Sequence, residues 1–366
     1  MPLALGYIAP HVPWAWLLII APQIQAQSFP RSKAGRVRHS DELYALGVNL
    51  MRRADAELEA QGSASKEAAL AYRDGLLIAL LADFYTNDYN FGTILVSDFS
   101  TQVLAYTVKL GSGLSATLSL EDAIERRQLT SPNGTGFPGQ TFDPAGVRMP
   151  DIVGQVLLER SWGKAQGSAV IRQIRSNNLV PGLNAAPLTD TDYGFAVQAG
   201  VQLKLPAIAE GDQFWLQGGY SRGALSYLGF GNTDIGNISL NQTDAYVGPF
   251  GQAELAKGWA ATALFLHYWT PQIRQAVFGS YGVIDYPANS AFTVAGGMLG
   301  FVDATDWRVG TNLSWLPTSG FYIGIEGLYR AVDPRGRVYL NNDPTTGRLI
   351  GATQALEARL RLQRDF

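Results

Sequence analysis

Cysteine is absent from all 366 residues, which removes disulfides, thiolate metal sites and cysteine nucleophiles together. Histidine is scarce. His11, His39 and His267 stand far apart without ligand spacing, so neither a histidine-based metal site nor a catalytic triad is expected. Charged residues make up only 16%, and the net charge of −3 with a pI near 5.7 argues against nucleic-acid binding by bulk charge. No Gly-x-x-x-x-Gly-Lys phosphate loop occurs, and no cofactor is expected. Long apolar runs are missing too: Trp14–Ala21, the longest near the start, falls far short of the roughly 18–20 residues of a spanning helix. That run has the apolar core of a secretory signal, with Ala26 near a cleavage point. However, it has no Lys or Arg before it and is flanked or followed by Pro10, Pro13 and Pro22, so a working signal peptide is not expected.

What the chain does have is glycine, 40 copies, with 11% aromatics and a mean hydropathy of zero. Its ending is the most informative stretch. From Thr353, Leu356, Ala358, Leu360, Leu362 and Phe366 fall on one side of an extended strand, and Glu357, Arg359, Arg361, Gln363 and Asp365 on the other. One greasy and one charged face suit a wall with lipid outside and water inside.

Two different texts meet near residue 84. Residues 1–83 read as helical. Ser40 caps a stripe of Leu43, Leu46, Leu50, Met51, Ala54 and Leu58 at three- and four-residue steps, and Ser65 caps a second helix over 66–82. Beyond Phe84 the period becomes two. Leu104, Tyr106, Val108 and Leu110 alternate with Ala105, Thr107 and Lys109; Gly111-Ser-Gly turns the chain; Leu114, Ala116, Leu118 and Leu120 alternate with Ser115, Thr117, Ser119 and Glu121. Nine further strands are expected at 151–161, 164–175, 192–205, 212–224, 259–270, 272–281, 305–316, 319–331 and 352–366. Tight connections at 111–113, 162–163, 270–271 and 316–319 alternate with long ones at 123–150, 176–191, 225–258, 282–304 and 332–351. Aromatics gather near strand ends, as in Tyr268-Trp269, Trp307, Trp315 and Phe321-Tyr322. Gly218-Gly219 and Gly296-Gly297 read as bends or turns. The fold class expected is an all-β transmembrane antiparallel barrel of about 11–12 strands after a short helical segment. An odd count has two readings, a strand hidden in 92–97 or 241–256, or a barrel that is not whole, and the second is favoured.

The runs Leu104–Asp122, Met149-Pro-Asp-Ile-Val153, Trp162-Gly-Lys-Ala-Gln166, His267-Tyr-Trp-Thr-Pro271 and the closing Leu-Gln-Arg-Asp-Phe366 resemble the alphaproteobacterial outer-membrane porin family. The resemblance covers about residues 84–366. It implies a water-filled channel for passive diffusion of small hydrophilic solutes and ions, homotrimeric if the barrel closes, in the outer-membrane bilayer. It places 84–101 in the family's inward constriction loop and 102–366 in strands, with the first five strands of the family unmatched. Ser40–Gly47 and Ala71–Ala82 resemble part of a phage-type tyrosine recombinase, though no arginine lies between Arg73 and Arg126 and no His-x-x-Arg box follows, so its chemistry is not expected. The lesser alternative is a capped helical hairpin of unrelated origin.

A porin breaks no bonds, so no catalytic or metal residues are expected; selectivity comes from pore width and lining charge. Strand parity nominates Glu121, Arg172, Lys204, Arg274, Arg308, Glu326, Arg330, Glu357, Arg359 and Arg361 as pore-lining. On the family analogy, Asp88 and Asp98 of the inward loop would face the arginines. The competing reading is a fusion or remnant with no working channel, whose unpaired edges would insert poorly.

Overall fold

Alternation of apolar and polar side chains builds one large sheet. The computed structural model describes residues 103–124, 144–179, 187–230, 233–235, 238–240, 242–248, 252–287, 290–318, 321–340 and 343–364. The sheet strands are β1 (Val103–Gly111), β2 (Leu114–Glu121), β3 (Asp151–Arg160), β4 (Gly163–Leu179), β5 (Pro187–Lys204), β6 (Gln213–Arg222), β7 (Lys257–Thr270), β8 (Ile273–Asp285), β9 (Ala304–Thr318), β10 (Phe321–Pro334) and β11 (Thr353–Arg364). They form an 11-stranded sheet in which each strand pairs with its neighbours in the chain. All ten pairings are antiparallel. Among the described residues β1 and β11 each have one neighbour, so the sheet is not closed into a barrel. The helical segment expected over 1–83, Asp88 and Asp98 on 84–101, and Phe366 lie outside the described residues.

The two faces have reversed polarity. On the outer face Leu118, Val156, Ile171, Val197, Leu216, Val277, Val309, Leu313, Ile325, Leu356, Leu360 and Leu362 are exposed. Directly behind them Thr117, Gln155, Arg172, Gln198, Gln217, Ser280, Arg308, Asn312 and Glu326 are buried. In water such an arrangement wastes the hydrophobic driving force; in hydrocarbon it is the favoured one, and the ladder satisfies the spanning backbone groups of every strand paired on both sides.

Aromatic rings mark two levels on the outer face. Trp259 and Tyr281 sit 5.5 Å apart and Trp307 and Tyr329 5.0 Å apart, between ring centres, near the long-loop ends. At the short-turn ends His267 packs edge-on to Trp269 at 4.6 Å and stacks on Phe265 at 6.2 Å. From Trp259 to Trp269 is ten residues; strands rising ~3.3 Å per residue and tilted ~40° would separate these levels by ~25 Å, the height of an outer-membrane apolar band.

Tight turns line one rim. At Gly113 the backbone has φ 71°, and an added Cβ would sit 2.0 Å from the Glu159 carbonyl oxygen, so only glycine fits. The other rim departs from expectation in three places. Of residues 176–191, expected as a loop, 176–179 and 187–191 are strand, because β4 and β5 run on together past their neighbours. There polar residues on both faces hide the alternation: Asn177 and Thr189, joined at 2.8 Å, share one face, and Ser176 and Asp190 share the other. Gly218-Gly219 produce no bend: their pairing to β5 and β7 runs without a register shift. The hidden strands of 241–256 are real but short: Ala245–Val247 and Ala253–Leu255 pair with each other and not with the strands of the main sheet.

If the outer face meets lipid, Val309→Arg should cost about 2–4 kcal/mol, while Gln202→Arg on the inner face should stay within about 0.5 kcal/mol. Urea titration of protein folded into lipid vesicles reads both; equal costs would contradict the assignment of faces.

Candidate pore interior

The inner face is not open throughout. The connection from β6 to β7 folds back onto it. A short 3-10 turn, Leu225–Leu228, begins this segment, and Gly229 at φ 80° ends it. Leu225, Leu228 and Phe230 pack on Ala260 of β7 and Ile284 of β8, and Tyr227 packs on Val153, Val170 and Ala196 of β3–β5. Ala245, Val247, Ala253 and Leu255 cover Ile174 of β4. Glycines at Gly219 and Gly258 leave the room this approach needs, since a Cβ on either would come within 2.7–2.8 Å of Leu228 or Leu225. The pair Thr233–Ile235 and Ile238–Leu240 forms a hairpin, and Thr233–Ile235 lies against β11.

A network of charges fixes this segment. The Arg172 guanidinium donates to Asp151 at 2.8 Å and to Asp244 of the segment at 2.9 Å, and lies 5.0 Å from the Tyr227 ring centre. The Tyr227 hydroxyl donates to Asp151 at 3.0 Å and Glu121 at 3.2 Å. Asp244 also accepts the Leu225 N–H at 2.7 Å, closing the turn on itself. The Gln198 side chain donates to the Tyr227 carbonyl. Neither Arg172 nor its two carboxylate partners have exposed side chains beyond 1%. Outside the strands, burial pushes the Tyr286 phenol up as it accepts the Thr243 N–H at 3.1 Å.

Below this network the wall of β6–β10 carries apolar side chains inward: Trp215, Leu264, Leu266, Ala276, Phe278 and Leu328, all buried. Polar groups resume on β8–β11. Asp306 holds Arg308 at 2.8 Å and Arg330 at 2.7 Å; Glu357 holds Arg359 at 2.6 Å; Asn312 donates to Glu326 at 3.2 Å. Arg274 and Arg361 lie 5.7 and 5.4 Å from the Tyr322 ring centre, one guanidinium from β8 and one from β11.

All ten nominated strand residues project to this inner face, but not to one place. Arg308, Arg330, Glu326, Glu357, Arg359, Arg361 and Arg274 share the β8–β11 wall. Glu121 and Arg172 belong to the buried network on the far side, and Lys204 stands exposed at the short-turn end of β5. Asp151, Tyr227, Asp244 and Asp306 were not nominated. Parity alone places Asp151 with Gln155 and Asp306 with Arg308. Nothing local marks Tyr227 or Asp244, whose role depends on a segment turning inward.

A family model described as the porin subfamily matches residues 79–349. Among curated proteins nothing matches. A solved structure, the outer membrane channel DcaP of Acinetobacter baumannii, is similar at 14% identity and a TM-score of 0.49, over 74% of this chain and 66% of that one. The chain thus spans just under two thirds of that channel's length.

Arg172→Met should destabilise the folded protein by about 3–5 kcal/mol, because it leaves two buried carboxylates without their counter-charge. Adding Asp244→Asn should recover part of the loss, a coupling of about 0.5–3 kcal/mol in urea titrations. Strict additivity would show that the two do not act as one unit.

Proposed function

The chain belongs to the porin subfamily, and on that premise we propose that it serves as an outer-membrane channel for passive diffusion of small hydrophilic solutes and ions. The observation that carries this reading is the reversed polarity of an 11-stranded antiparallel sheet, apolar outside and charged inside. Nothing in the described site calls for bond chemistry: its carboxylates and guanidiniums neutralise one another rather than converge on an open position. Selectivity would come from width and from lining charge, with Arg274, Arg308, Arg330, Arg359 and Arg361 on β8–β11 as the basic wall and Asp88 and Asp98 as its acidic counterpart. Alphaproteobacterial kinship, trimeric assembly in the outer membrane and the recombinase-like character of residues 1–83 belong to the same proposal. They rest on the motifs alone.

A second reading, a remnant without a working channel, is favoured by two observations. The edges of β1 and β11 have no further partner among the described residues, and Trp215, Leu264, Leu266 and Phe278 fill part of the interior. Unpaired edges in hydrocarbon cost several kcal/mol per backbone group.

Planar-bilayer recording of the refolded chain separates the two. Stepwise ion conductance is expected, and its absence would leave the remnant reading. Replacing Arg359 and Arg361 together by Glu should shift the reversal potential under a salt gradient toward cation preference. An unmoved reversal potential in a conducting protein would remove these two residues from the pore lining.

A further inference from the structure

The segment between β6 and β7 does more than cover the wall. Tyr227 reaches Glu121 on β2, while Thr233–Ile235, six residues on, lies against β11. In a flat sheet β2 and β11 are nine strand spacings apart, about 43 Å at ~4.8 Å each. Six residues span at most ~20 Å, and a tyrosine side chain and a packing contact add too little to bridge the difference. The sheet is therefore rolled so that β2 and β11 approach one another, and this segment, rooted on β6 and β7 at the middle of the sheet, reaches across the enclosed space to both.

Its footing is rigid. Arg172, Asp151, Glu121 and Gln198 hold it by charge-assisted and neutral hydrogen bonds, and its apolar residues are buried against β3, β4, β5, β7 and β8. A backbone rooted on β6 and β7 and applied to β2 and β11 opposite them stands across part of the enclosed space. We propose that the connection between β6 and β7, through its described residues 223–230, 233–235, 238–240, 242–248 and 252–256, limits passage through this protein: it is a built-in crossbar that sets the size of solute admitted. The inference rests on the channel reading above and deepens it.

Excision of 233–240, bridged by a short Gly-Ser linker, tests it in the full chain. Single-channel conductance is expected to rise about twofold or more, and the size of polyethylene glycol that enters should rise with it, since conductance follows the open cross-section. If the parent conducts and the excised form conducts equally with the same size limit, the crossbar is overturned. If the parent is silent, the channel reading fails for the native state; the crossbar then stands if excision opens conductance and falls if it does not. A second variant guards against misfolding. The chain has no cysteine, so Ser239→Cys offers a single thiol on the hairpin. Coupling a bulky thiol reagent to it should at least halve the conductance of a conducting variant, and in a variant silent before coupling the excision result decides. Unchanged conductance after complete labelling would overturn the proposal as surely as an inert excision.

Discussion

The constraint on which everything else depends is that a backbone placed in hydrocarbon must satisfy its own hydrogen bonds. Helices long enough to do so are not written into this sequence, so the burden falls on the antiparallel ladder. Once the ladder exists, the period of two puts Leu118, Val309 and Leu360 on one side and Thr117, Arg308 and Arg359 on the other. The reversed polarity of the two faces follows without further instruction. Aromatic pairs such as Trp259 with Tyr281 then sit where the strands meet the interface, because their rings tolerate both media.

A polar inner face creates a second problem, since charges enclosed by a rolled sheet need partners. The protein meets it in two ways. On β8–β11 the partners come from the same strand or the next one: Asp306 of β9 lies between Arg308 of β9 and Arg330 of β10, and Glu357 lies beside Arg359 on β11. On β2–β5 they come from a distant part of the chain, which carries Tyr227 and Asp244 to Arg172 and Asp151. The first solution leaves groups along a surface, and the second locks a connection into the interior. Such a buried unit is hard to change one residue at a time, because each deletion strands the charges that remain.

Much of this is legible in the sequence. All eleven sheet strands were readable from alternation and turn residues, and the tight connections at Gly111–Gly113 and Thr270-Pro271 follow from local chemistry. Where local rules ran out, the reasons differ. The β4–β5 extension is polar on both faces, so alternation vanishes while the ladder continues. Gly218-Gly219 look like a bend, yet their small size serves the approach of Leu228. Residues 225–258 look like an outer loop by their Gly, Asn and Asp, although Leu225, Tyr227, Phe230, Val247 and Leu255 are more apolar than an exposed connection requires.

The sequence by itself determined which residue of each strand faces which way, because side-chain direction in an extended chain is set by parity and needs no neighbour. It also determined the absence of thiol chemistry, since the chain has no cysteine. Only the tertiary structure decided that Arg172 and Arg308, alike by parity, have different surroundings, one sealed under an infolded connection and the other on a wall of paired charges. That difference arises from contacts between residues 72 positions apart, as in Arg172 with Asp244. No local period encodes such a contact; it forms when the rolled sheet brings the connection and the wall into one space.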